Sequence, residues 1–342
     1  MEKQRDITFD VMKGIAILAM VAGHCFIPFK LHHFIYIWHM PLFFFASGFF
    51  FKDKPLAKVF LGIWRGLLVP YVVTATIILL CILFADGLCE TNLLKTKGVA
   101  LLGINGLFAN PDAYGGLYKC GPIWFLLALA WCKIVYCVLG KLGMNMIVET
   151  LLLAALSYLI VSFSKTLYLP FFILQGLVSL IFYHLGYLFK QNLAIVIRYK
   201  KLAIGLGVLA LFVGMLQSGM DIWALWFSNW TLNVYAAIGS VILLYFGTKS
   251  ILSTPPIMSC GIISKLLMYL AYVGRLSILV LALHAVEKTL DLCTNLFEIQ
   301  HIIPVGTMVC RFLTILSQFL FCLLGVFVVE RINLVRKLFY IR

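Results

Sequence analysis

Runs of about twenty apolar residues, each stopped by a charged residue or a Pro/Gly break, recur along almost the whole of this chain. A bilayer core of roughly 30 Å takes about 20 apolar residues per spanning helix. Inside that core every backbone N–H and C=O must be paired within the protein, so continuous apolar runs are usable there only as helices. Reading the runs predicts ten spans, over 7–28, 34–51, 60–85, 122–140, 145–163, 168–188, 203–217, 223–247, 266–288 and 305–329. Composition agrees, with 63% of the 342 residues hydrophobic and only 12% charged, about half the charged share of soluble domains. The expected fold is all-α: a polytopic membrane helical bundle of about ten transmembrane helices, with 1–342 as one integral-membrane domain.

The formal net charge of +14 does not point to nucleic acid, because Lys and Arg fall at the ends of apolar segments and form no basic run interleaved with aromatics. With the N-terminus inside, Lys52, Lys54, Lys58, Lys141, Lys190, Arg198, Lys200, Lys201 and the basic C-terminal end all fall on the inner side. The outer segments carry fewer cations and more acids, including Asp86, Glu90, Asp112, Asp221 and Glu287. Positive charge is retained in the cytoplasm, so both termini are expected there. The one long connection, 86–121, is then an outer loop, and loops of that length are commonly functional. Cys89 and Cys120 share it, on a side where a disulfide is chemically allowed. The remaining cysteines lack metal or redox spacing and read as small core residues. The first apolar segment is expected to persist as a helix, since Asp10, Lys13 and His24 interrupt it and no small-residue cleavage site follows.

Ionisable side chains deep in a span cost several kcal/mol unless they face protein or water, which makes them functional candidates. Helix one carries Asp10, Lys13 and His24, and the step from Lys13 to His24 is close to three turns, so the three share a face. From this helix alone an Asp10–Lys13 pair and a satisfied histidine acting as interhelical glue is an equally open reading. Assigned depths then place His24, His39, Trp124 and His284 in an outer layer, with Lys13 and Arg65 nearer the cytoplasm and Arg275 between. Inner cations suit the phosphates of a cytoplasmic acyl donor, and outer imidazoles suit general-base work on a hydroxyl. Zinc is disfavoured, because the three histidines come from three helices with no two-on-one-helix motif. His32 and His33 are expected in an interfacial loop, and His184 near the inner face.

These residues also carry a resemblance. The stretch from Arg5 to His24, R-D-I-T-F-D-V-M-K-G-I-A-I-L-A-M-V-A-G-H, followed by W-H-M-P-L-F-F-F-A-S-G-F-F-F over Trp38 to Phe51, resembles the membrane acyltransferase-3 family. His39-Met40-Pro41 through Ser47-Gly48 is similar to its fucose 4-O-acetylase-like branch. Further likeness follows in order at Arg65 through Pro70-Tyr71, Gly121-Pro122-Ile123-Trp124, Leu185-Gly186-Tyr187, and Gly274 through Ser277 to His284. Many members pair two arginines three residues apart on helix three, whereas Gly62 precedes Arg65 here. The resemblance implies an O-acetyltransferase of a bacterial inner membrane, multi-pass. It would take acetyl-CoA as donor substrate and need no bound cofactor or metal. The acceptor would be a hydroxyl of an extracytoplasmic glycan or lipid-linked saccharide, and no nucleic acid is involved. The two layers and the resemblance together assign catalysis to His24, His39 and His284, donor binding to Lys13, Arg65 and Arg275, and support to Asp10, Trp124 and Ser47. The rivals are a transporter or exporter of a lipid-linked glycan, which needs the same polar interior but no donor, and an idle sensor or scaffold keeping the family's bundle.

Overall fold

The computed structural model of the protein describes residues 7–25, 27–89, 121–294 and 308–341. Helices in chain order are α1 (Ile7–Gly23), α2 (Phe29–Phe49), α3 (Leu56–Ile63), α4 (Val69–Cys89), α5 (Trp124–Leu139), α6 (Met146–Ser162), α7 (Ile173–Gln191), α8 (Leu193–Arg198) and α9 (Lys200–Met215). They continue with α10 (Trp230–Leu252), α11 (Pro255–Ser259), α12 (Gly261–Arg275), α13 (Ser277–Thr294), α14 (Met308–Val329) and α15 (Asn333–Leu338). Among the described residues the only strands are the two-residue β1 (Met220–Asp221) and β2 (Trp226–Phe227). Five helical stretches are long and apolar enough to cross a membrane: Leu56–Leu83, Gly121–Leu142, Ile173–Gln191, Trp230–Leu252 and Phe312–Val329. The broken pair α12 and α13 passes the same test as one span. The chain is a helical membrane protein.

Several expected boundaries move, for local reasons. Pro28, with ψ 141, cannot continue a helix from α1, and α2 starts directly after it at Phe29. His32 and His33 therefore lie in α2 rather than in a loop, and His33 is buried with Nε2 3.1 Å from the Gly214 carbonyl. The expected span over 223–247 begins only at Trp230, because Asn229 caps α10 by accepting the Leu232 N–H at 3.0 Å. The apolar residues before that cap belong to the β1–β2 segment instead. The expected span over 266–288 breaks at Leu276, which puts Arg275 in the last turn of α12 and His284 on a separate helix, α13. The greater part of the loop expected over 86–121, with Glu90 and Cys120, lies outside the described residues, while α4 itself runs on to Cys89.

The chain divides into two compact units. The first comprises Met1–Phe51, Phe182–Asp221 and Phe227–Ser277, and the second Lys52–Ile181, Ile222–Trp226 and Ile278–Arg342. In the first, α1 lies backbone to backbone on α12. A Cβ at Gly14 would overlap the Leu270 carbonyl, and one at Gly274 the Asp10 carbonyl, so only glycine allows this approach. Such small-residue contacts are how helices associate where lipid supplies no hydrophobic drive. Phe9, Phe49, Phe189 and Tyr245 fill the adjoining core ring against ring, with centroids 4.3–6.1 Å apart in the packed pairs.

In the second unit α5 and α7 approach closely at Gly176, whose missing Cβ leaves room for the Ala128 carbonyl. The Cys132 thiol donates to the Gly176 carbonyl at 2.9 Å, and the Ser157 hydroxyl of α6 donates to Val178 at 3.1 Å. Between α3 and α4 the helix widens into a π turn, Trp64–Leu68, which buries Leu67 and carries Arg65.

Candidate functional site

Site chemistry in the first unit is strung along α1 and α2. Asp10 is buried and stands 2.9 Å from the Lys13 ammonium, one helical turn on. The close approach at Gly274 sets Arg275, exposed at the end of α12, next to the α1 backbone that carries this pair. Helix α1 ends at Gly23, yet the His24 N–H still bonds to the Met20 carbonyl at 3.2 Å. His24 therefore continues the register begun at Lys13, and it is exposed. Three turns of helix rise about 16 Å, so Lys13 and His24 mark two depths on one face.

At the His24 end, Tyr36 of α2 is the hub of a ring cluster. His32 stacks on it with centroids 3.9 Å apart, His39 meets it edge-on at 5.0 Å, and His24 edge-on at 6.4 Å. Asp221, in β1, lies within electrostatic reach of the Tyr36 hydroxyl. His39 is buried and its Nδ1 lies 2.8 Å from the Ile35 carbonyl. A carbonyl only accepts, so Nδ1 carries the proton, and in the neutral ring Nε2 is the basic nitrogen. The structure thus brings His24 and His39 to a shared neighbour. Ser47, also on α2, is half-buried two turns beyond His39.

Trp124, His284 and Arg65 belong to the second unit. Trp124 is buried at the start of α5, after the turn Gly121–Ile123, and its ring packs 6.3 Å from that of Phe172. Phe171 and Phe172 both have left-handed φ, 59 and 57. That costs roughly 1–2 kcal/mol per residue, and the Trp131 indole N–H holds the segment by donating to the Phe171 carbonyl at 3.1 Å. Gly121, with φ +69, lies against α13 so that an added Cβ would sit 3.8 Å from the Ala285 Cβ. The turn leading into Trp124 therefore adjoins the residue after His284. His284 is fully buried, with Nδ1 2.9 Å from an equally buried Glu287 carboxylate oxygen, a charge-pair contact one helical turn apart. Arg65 is exposed on the π turn.

Three members of these clusters escape a sequence reading of the candidates. Tyr36 and Glu287 carry a helical signal, being respectively three residues before His39 and three after His284. Asp221 carries none, because β1 brings it in from a distant segment. His184 is buried on α7, in the first unit. Among the described residues no three His, Cys, Asp or Glu side chains converge as a metal ion would require.

Residues 6–329 match the family model described as "Acyltransferase domain", number three of the acyltransferase families. No curated protein and no solved structure matches the chain.

Proposed function

Because the chain belongs to the acyltransferase-3 family and is thus a membrane acyltransferase, we propose that it moves an acetyl group from cytoplasmic acetyl-CoA to a hydroxyl of an extracytoplasmic or lipid-linked glycan. The observation that carries the reading is the ring cluster of His24, Tyr36 and His39, a set of proton-handling groups at the end of a helix that also carries the charged Asp10–Lys13 pair. One element thereby presents a cation for a donor's phosphates and, about 16 Å along its axis, a base for an acceptor. The likeness of Trp38–Phe51 to the fucose 4-O-acetylase-like branch supports a sugar as the acceptor. We place the protein in a bacterial inner membrane with both termini cytoplasmic and no resident cofactor.

In the proposed reaction the His24 imidazole takes the proton of the acceptor hydroxyl as its oxygen bonds to the thioester carbonyl carbon. The C–S bond then breaks and CoA leaves as the thiolate, to be protonated by solvent, while the His24 imidazolium gives its proton back to solvent. His39, through Nε2, orients the acceptor, and Tyr36 holds both rings at their spacing. Ser47 lies further along α2, and Lys13 and Arg275 of the same unit serve the donor. General-base assistance is worth about 10²–10⁴-fold, so His24→Gln is expected to lose that much turnover while donor binding persists. Mass spectrometry of surface glycans from cells with the gene, without it, and with His24→Gln tests this. The expected result is an acetyl mass increment in the first case only. Glycans identical in all three would overturn the reading and favour a glycan transporter.

A further inference from the structure

We infer that the C-terminal segment Asn333–Ile341 forms, with Arg65, the site for the phosphorylated nucleotide end of the donor. The inference rests on the acyl-CoA reading and deepens it, assigning a role to residues that otherwise serve only as charges at the end of a span. Within the second unit a cavity of about 560 Å³ opens between the π turn and α15. That volume lies inside the roughly 300–1,000 Å³ of small-molecule sites. Arg65, Arg336 and Lys337 all line it, with Asn333 and Tyr340 beside them and Val69 and Ile341 as apolar wall. No acidic side chain is among this described lining.

Three cations around one opening repel one another, and an anion set among them removes that cost and gains charge-assisted hydrogen bonds. Two guanidiniums match phosphate oxygens in bidentate fashion, a lysine adds a point charge, and the Asn333 amide adds a polar donor and acceptor. The cavity's walls are conformationally unusual on both sides. Arg65 sits in a π-helical turn, a widening frequently found at functional sites. Opposite, α15 closes with the Ile341 N–H donating to the Arg336 carbonyl at 2.9 Å and the Tyr340 N–H facing the Lys337 carbonyl at 3.4 Å. This closure puts Tyr340 at φ 51, in the left-handed position where helices normally place glycine. A tyrosine kept at a glycine position, on the rim of a cationic cavity, presents an aromatic face next to a phosphate site. A nucleotide base with nearby phosphates has that combination of chemistry, and in CoA it is the adenosine 3′,5′-bisphosphate end.

The test uses full-length protein in nanodiscs of zwitterionic lipid, with adenosine 3′,5′-bisphosphate as the calorimetric probe. Wild-type protein is expected to bind it. A charge-assisted contact supports at least about a tenfold change in affinity, so Arg336→Gln and Lys337→Gln should each weaken binding by that factor. Tyr340→Gly should weaken binding while leaving the melting temperature equal or higher, since glycine is relaxed at that φ. Wild-type binding that all three variants retain would overturn the cavity assignment and leave the acyl-CoA reading standing. A wild-type protein that does not bind the probe would overturn both. A parallel arm adds labelled anionic lipid to the nanodiscs. Retention of that lipid lost in Arg336→Gln and Lys337→Gln, with no competition by the probe, would make the cavity a headgroup site and overturn the proposal.

Discussion

Replacing Lys13 with alanine removes the ammonium 2.9 Å from a carboxylate whose side chain is only 5% exposed. Taking away one partner of a buried ion pair typically costs about 3–5 kcal/mol, because the other charge stays in a low dielectric. The Lys13 side chain is 22% exposed, so water reaches the pair from one side and the lower end, about 3 kcal/mol, is expected. Asp10→Asn added to Lys13→Ala removes the charge that is expensive to bury, and the double variant should recover about 2 kcal/mol, a coupling normal for residues in contact. Thermal unfolding in detergent, followed for the four members of this cycle, reads the stability side. In a domain of 150–250 residues each kcal/mol moves the midpoint by about 2–4 °C, so Lys13→Ala should melt several degrees low and the double variant should regain most of it. Donor KM reads the functional side and should not follow the same pattern. If Lys13 contacts the donor's phosphates, KM rises about tenfold or more in both the single and the double variant. A Lys13→Ala protein as stable as wild type, with no coupling to Asp10→Asn, would refute the reasoning about the pair. A donor KM restored together with stability in the double variant would reduce Lys13 to a structural role.

Gly274→Ala drives a methyl into the Asp10 carbonyl and should cost about 1–3 kcal/mol, towards the upper end because backbone lies on both sides. Gly62→Ala, where an added Cβ meets nothing, is the control and should be neutral or stabilising by up to about 1 kcal/mol. Tyr36→Phe keeps the ring that His24, His32 and His39 face and loses only the hydroxyl. If that hydroxyl orients the acceptor, acceptor KM should rise roughly tenfold with an unchanged melting temperature, and unchanged kinetics would limit Tyr36 to packing. In a cysteine-free background, Ser218→Cys, between α9 and β1, should label with an impermeant maleimide from outside intact cells. Tyr199→Cys, between α8 and α9, should not, and the opposite pattern would invert the proposed orientation.

How much of this was legible in the sequence depended on whether a feature is local. The helix expected over 145–163 is present as α6, Met146–Ser162, because its apolar run is bounded by an Asn145 cap that reads directly from the chain, although it is shorter than the stretches able to cross a membrane. The Asp10–Lys13 pair follows from helical spacing and is present. Trp223 to Phe227 look like the start of a span by hydropathy, but the Asn229 cap delays α10, a signal that apolar patterning outweighs. The break at Leu276 carries no proline, and it falls two residues after Gly274, where α12 meets the Asp10 carbonyl, a tertiary contact that the sequence does not announce. The π turn at Arg65 has no sequence signature at all. For the same reason Arg336 and Lys337 read as topological charge, and only their placement beside Arg65 in one cavity gives them a chemical use. Asp221 was countable as an outer acid, but its neighbourhood with Tyr36 depends on β1.

Sealed inverted membrane vesicles containing the protein present its cytoplasmic face outward, which allows the whole transfer to be followed in one measurement. Acetyl-CoA carrying label in the acetyl group is supplied outside, and glycan acceptor is enclosed within. Acetyl label is expected on the enclosed glycan, with CoA released outside in equal amount, and a fall of about 10²–10⁴-fold in that rate for membrane-inserted His24→Gln. Label confined to the outer compartment in wild-type vesicles, or His24→Gln transferring at the wild-type rate, would contradict the proposed transfer.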